Sequence, residues 1–223
     1  MRNLLFAGAA LLFGSLSAQA GTFDATSFSV IGGENVSMTS PKVQTVSAGE
    51  VTLSGPSGNI DVWCVDLLDV ISLPYLYSTG VYVPGSSVPG MPTLDATQTH
   101  DVADLIENGQ GTGATNAEIQ VAIWEILYGS NFVPVGLTAP FSAEVATLIG
   151  ESGTLLNCPD CSLQVFTDAP TVVSQSFADV VVAPTPIPGA LLLFGSGLIG
   201  LVGAGYGAKR KLPRSAFNTA IQT

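Results

Sequence analysis

Apolar residues fall in short extended runs through the first third of the chain and then switch to helical spacing. Phe23 to Val30, Val43 to Val46, Val51 to Leu53 and Ile60 to Val65 are rich in Val, Ile, Thr and Phe, side chains that suit a pleated, half-buried surface. Gly32-Gly33, Ala48-Gly49 and Gly55-Pro-Ser-Gly58 punctuate them as turns. Tyr75 to Val83 predicts a further strand, and Pro84-Gly85, Pro89-Gly90 and Pro92 predict a loop after it. Val102, Leu105 and Ile106 then form a short helical face closed by Asn108-Gly109. Past a loose linker from Gly109 to Thr115, Ile119, Ala122, Ile123 and Ile126 repeat at helical spacing, with Asn116 as the expected cap. Phe141, Val145, Leu148 and Ile149 predict a third helix that ends by Gly153. Strand signals return at Leu163 to Thr167 and Val172 to Val182. The expectation is a β-rich α+β body, a β-sandwich or barrel-like domain with a helical insertion.

Both ends carry an apolar stretch of another kind. Arg2 precedes an uncharged run from Leu4 to Leu16, and Ala18-Gln19-Ala20 supplies a small-residue cleavage site. That order predicts a signal peptide over residues 1–20 and a mature chain beginning at Gly21. Near the other end, residues 187–208 are apolar or small and uncharged, and Lys209-Arg210-Lys211 follows at once. The length suits one crossing of a bilayer core, about 20 helical residues, and the basic cluster holds that end in the cytoplasm. A buried core helix fits poorly beside such a cluster. The expected organisation is therefore an exported body at 21–183, a sorting segment at 184–214 with a transmembrane helix over 187–208, and a short cytoplasmic tail at 215–223.

Charge sharpens this picture. All 17 acidic residues lie between Asp24 and Asp179, where Lys42 is the only Lys or Arg. Such a surface cannot neutralise phosphates, so nucleic acid is excluded as a partner. The chain has one histidine, His100, no G-x-S-x-G elbow and no evident carboxylate pair, so an enzyme is not expected. Of three cysteines, Cys158-Pro-Asp-Cys161 form a C-x-x-C pair. Without a second half-site, neither zinc nor any other cofactor is expected. In an oxidising compartment the pair reads as a local disulfide.

The segment Pro184-Thr-Pro186-Ile-Pro188, the following helix with its Gly195-Ser196-Gly197 core, and the basic Lys209-Arg210-Lys211 end resemble the PEP-CTERM sorting signal. The resemblance covers the tail alone. It implies a substrate of an exosortase in a Gram-negative bacterium, exported by the Sec machinery and held in the inner membrane as a precursor. Cleavage near the prolines would then pass the body to the cell surface or extracellular matrix. The Glu of the family's usual Pro-Glu-Pro is missing, and the chain runs on past Lys211 to Thr223. An anchor that is never cleaved is the alternative.

Cys64 is an odd thiol in an exported chain and calls for a partner. It lies in Asp61-Val-Trp63-Cys64-Val-Asp66-Leu67, and downstream comes Ile119-Gln120-Val-Ala-Ile-Trp124-Glu125. The two blocks resemble the signature of thioester domains from surface adhesins of Gram-positive bacteria. That resemblance implies an internal thioester between Cys64 and Gln120, with Trp63 and Trp124 shielding it from water. The stored acyl group would be passed to an amine on a surface target, and the near absence of lysine from the body suits such chemistry. The residues themselves leave other readings open: a plain buried thiol, a disulfide from Cys64 to Cys158 or Cys161, and a Gln120 that only hydrogen-bonds within the core. Two functions follow, a covalent adhesin or a non-reactive protein of the envelope or biofilm matrix, and an exopolysaccharide is a further candidate partner.

Overall fold

The computed structural model describes residues 21–155, 161–167 and 174–182. The residues of the expected leader, of the expected sorting signal from Pro184 to Lys211 and of the expected transmembrane segment, together with Cys158 and the Cys161 side chain, lie outside the described residues. Among the described residues no helix is long and apolar enough to cross a membrane.

The body contains β1 (Gly21–Ala25), β2 (Ser27–Ser40), β3 (Gln44–Gly55), β4 (Gly58–Cys64) and β5 (Tyr75–Val81). After these come α1 (Ala96–Asn108), α2 (Asn116–Tyr128), β6 (Val133–Val135), α3 (Ala139–Glu151), β7 (Cys161–Thr167) and β8 (Phe177–Val182). The β-rich α+β expectation holds, but the strands form one antiparallel sheet of eight rather than two stacked sheets, in the order β1-β5-β7-β8-β4-β3-β2-β6. β1 at one edge runs directly into β2 near the other edge through Thr26, whose N–H donates to Ser54 of β3. The β1–β2 junction thereby brings β1 back against β3.

Two turns expected from glycine pairs are absent. β2 and β3 run on through Gly32-Gly33 and Ala48-Gly49 as one long hairpin, with a bulge between Ile31 and Glu34. The glycines serve a close approach instead: a Cβ on Gly49 would come within 2.8 Å of the Gly33 Cα. By contrast, Gly55 to Gly58 does close the β3–β4 hairpin.

The helices begin where side chains satisfy their first free N–H groups. Asp95 caps α1 and Thr115 caps α2, each in a reciprocal capping box with Gln98 or Glu118. Thr115 thus takes the place expected of Asn116, which is the first residue inside the helix. Thr138 caps α3, with Pro140 in its first turn. α2 packs on β3 and β2, and α1 packs on β7 and β8. Leu53, Tyr77, Leu105, Ile119, Ile123, Leu163 and Phe177 are fully buried in the core between helices and sheet.

Candidate functional site at Cys64

Cys64 is the last residue of β4, and it is held from two sides. β8 approaches along one edge, where Cys64 pairs with Phe177 and Trp63 with Ala178. On the other side, one stripe of α2 reads the main chain that leaves the strand. Gln120, Trp124 and Tyr128 recur every four residues and so share a face of the helix. Gln120 accepts from the Cys64 N–H at 3.0 Å and donates to the Cys64 carbonyl at 2.9 Å. Trp124 Nε1 donates to that same carbonyl at 3.0 Å. Tyr128 accepts from the Leu67 N–H at 2.9 Å.

The sequence reading placed Gln120 beside Cys64, and the fold brings them together in an unexpected way. With Gln120 0% exposed, its carboxamide pairs with both main-chain groups of Cys64, and among the described residues it makes no hydrogen bond to the sulfur. Trp124 lies at the site. Trp63 is also buried, but strand alternation turns it to the opposite face of β4.

The sulfur has another neighbour. Gln175, just before β8, places Nε2 2.7 Å from Cys64 Sγ and 2.9 Å from the Asp66 carbonyl. The thiol in turn donates to that Asp66 carbonyl at 3.0 Å. Gln175 is positioned by its surroundings: its N–H donates to the Val70 carbonyl, and Ser174 Oγ accepts from the Ser72 N–H. Gln175 carries no local signal in the sequence: it sits in an ordinary polar interval, Ser174-Gln175-Ser176, within the predicted strand Val172 to Val182. Only the pairing of β4 with β8 gives it meaning.

Burial pushes the Cys64 thiol up to about 12, and the nearby Asp66 charge adds to the shift. The sulfur is therefore protonated at neutral pH. Asp66 is itself fully buried. Its Oδ1 accepts from the N–H groups of Leu68 and Asp69, fixing the turn that leaves β4, while its buried Oδ2 has no hydrogen-bond partner among the described residues. Gly90 lies against this carboxyl with φ +73°, and any side chain there would collide with Asp66.

Burial raises the Asp66 carboxyl from 3.8 to about 6, and the Asp69 charge adds to the effect. A carboxyl that binds its proton more tightly when folded favours the fold at low pH. Its contribution is complete below about 4 and is lost as pH rises through about 6. Glu50, Asp101, Glu125 and Asp179 are shifted the same way by burial. The thermal midpoint of the body is therefore expected to be higher at pH 4.5 than at pH 7, with Asp66 alone contributing on the order of 1–2 kcal/mol to that difference. Calorimetry of wild type and Asp66→Asn checks this, since the variant should show the flatter profile. A midpoint that falls on acidification equally in both proteins would contradict it.

Cys64 and Gln175 also open onto a pocket of about 310 Å³, with Trp124 in its wall. No family model matches this chain, and no curated protein does. Among solved structures it is similar to the N-terminal thioester domain of a surface protein from Clostridium perfringens, in a Cys-to-Ala mutant form. That similarity has TM-score 0.47 and 11% identity, over 60% of this chain and 89% of the other. It is also similar to the N-terminal thioester domain of a protein F2 like fibronectin-binding protein from Streptococcus pneumoniae. There the TM-score is 0.41 and the identity 13%, over 76% of this chain and all of the other.

Proposed function

We propose that the body is a covalent attachment module displayed at the cell surface, in which Cys64 forms an internal thioester with Gln175. One observation carries this reading: Gln175 Nε2 lies 2.7 Å from the buried Cys64 sulfur. The Gln175 carbonyl carbon is one covalent bond from that nitrogen, so the sulfur stands beside an acyl group. Gln120 is the alternative acyl partner, but both ends of its carboxamide are already bound to the Cys64 main chain.

The chemistry balances within the site. The Cys64 sulfur attacks the Gln175 carbonyl carbon, the C–N bond breaks, and the thiol proton leaves with the nitrogen as ammonia. Releasing that proton to water at neutral pH would cost about 7 kcal/mol for a thiol held near 12. Direct transfer from sulfur to the adjacent amide nitrogen avoids this cost. Burial then keeps water away from the acyl group. A primary amine that enters the pocket takes the acyl group as a stable amide and frees the thiol, so one molecule reacts once. Gln120, Trp124 and Tyr128 act as positioning residues for the Cys64 main chain.

Display follows from the ends of the chain: the leader exports the body, and the PEP-CTERM-like tail holds it in the inner membrane until an exosortase passes it outward. The intact mass of the non-reduced protein, before and after methylamine, tests the proposal. The expected mass is short by one ammonia and becomes one methylamine heavier on treatment, with neither change in Cys64→Ala. A full mass that methylamine leaves unaltered would instead mark Cys64 as a structural thiol and the chain as a non-reactive envelope protein.

A further inference from the structure

We propose that Asp69 selects the incoming nucleophile by holding its positive charge, so that the pocket takes a primary ammonium on an alkyl arm, as on a lysine side chain. The inference rests on the thioester reading for its chemistry and on the pocket for its geometry. Cys64 and Trp124 are buried and form the floor, whereas Val70 is 70% exposed and Phe28 47% exposed at the rim. Between floor and rim the walls are largely aliphatic, with Val30, Val46 and Ile71. Asp69 is the one charged residue that lines this space.

Its carboxylate is uncommitted. The Asp69 N–H is held by Asp66 Oδ1 at 3.2 Å, which fixes the backbone. Among the described residues no cation pairs with its side chain and no donor bonds to it; the one ion pair joins His100 and Asp101. Lys42, the only Lys or Arg of the body, lies close by but donates to the Leu68 carbonyl at 3.4 Å. A half-buried carboxylate beside aliphatic walls and a reactive floor leaves room for a cation supplied from outside. Apolar methylenes would lie along the walls, as lysine stems do on apolar surfaces. Once bound, the ammonium must lose a proton before it attacks. The free amine then bonds to the acyl carbon, the C–S bond breaks, and the sulfur takes up a proton; the net release is one proton.

The test uses full-length protein in detergent and has two arms. In the first, adduct formation is timed by intact mass with n-butylamine and with hydroxylamine, which is uncharged at neutral pH. Asp69→Asn should slow butylamine about two- to fivefold, the scale of one lost ion pair, and leave hydroxylamine unchanged. Equal effects on the two nucleophiles, or none, would overturn the assignment. The second arm needs no thioester: saturation-transfer NMR follows n-butylammonium binding to Cys64→Ala protein. A signal lost in Cys64→Ala/Asp69→Asn supports Asp69 as the cation site, and a signal absent or indifferent to Asp69 overturns it. A wild-type mass without ammonia loss would count against the thioester alone, and the binding arm would still decide the role of Asp69.

Discussion

Gln175→Ala protein is expected to have its full mass and no reactivity to methylamine, while being less stable by under about 1 kcal/mol than wild type whose thioester has been opened with methylamine. The all-or-none effect follows from the chemistry, since the substitution removes the side-chain carboxamide that hydrogen-bonds the sulfur. The mild cost follows from position. Gln175 is half-buried, and its side chain makes two hydrogen bonds, to Cys64 Sγ and to the Asp66 carbonyl. Water entering from the pocket can replace the second. Its main-chain bond to Val70 does not depend on the side chain. Intact mass and chemical denaturation on the same sample read both quantities. A Gln175→Ala protein that still lacks ammonia would show that another residue supplies the acyl group.

Gln120→Ala is expected to do the reverse, lowering stability by about 3–5 kcal/mol. The side chain is 0% exposed and holds both the N–H and the carbonyl of Cys64. Truncation leaves the Cys64 N–H buried without a partner, a cost of about 1–3 kcal/mol, whereas the carbonyl keeps Trp124. A cavity the size of the lost carboxamide adds a further penalty of order 2 kcal/mol. For a domain of this length the thermal midpoint should fall by roughly 10 °C. If Gln120→Ala unfolds with the wild-type midpoint, the two-point pairing does not hold Cys64 in place.

Much of the fold was legible because local pattern and tertiary structure agree. The 3.6-residue spacing of Ile119, Ala122, Ile123 and Ile126 marks α2, and the apolar runs at Ile60 to Val65 and Leu163 to Thr167 mark β4 and β7. Where the reading failed, a distant partner had overridden a local signal. Gly32-Gly33 looks like a turn, but β3 pairs across it and keeps β2 extended. Val133-Pro134-Val135 is too short and too rich in proline to read as a strand, and it exists because the edge of β2 accepts it. The site divides in the same way. Cys64 and the α2 stripe announce themselves through an odd thiol and a lone polar residue on an apolar helix. Gln175 lies 111 residues from Cys64, and only the order of strands in the sheet brings it to the sulfur.

The central claim, that Cys64 carries the acyl group of Gln175, is tested most directly by locating methylamine in the treated wild-type protein. Peptide fragmentation should place it on the Gln175 side chain as the N-methyl amide, with Cys64 recovered as a free thiol. Methylamide on Gln120, or no methylamide on any glutamine, would contradict the account.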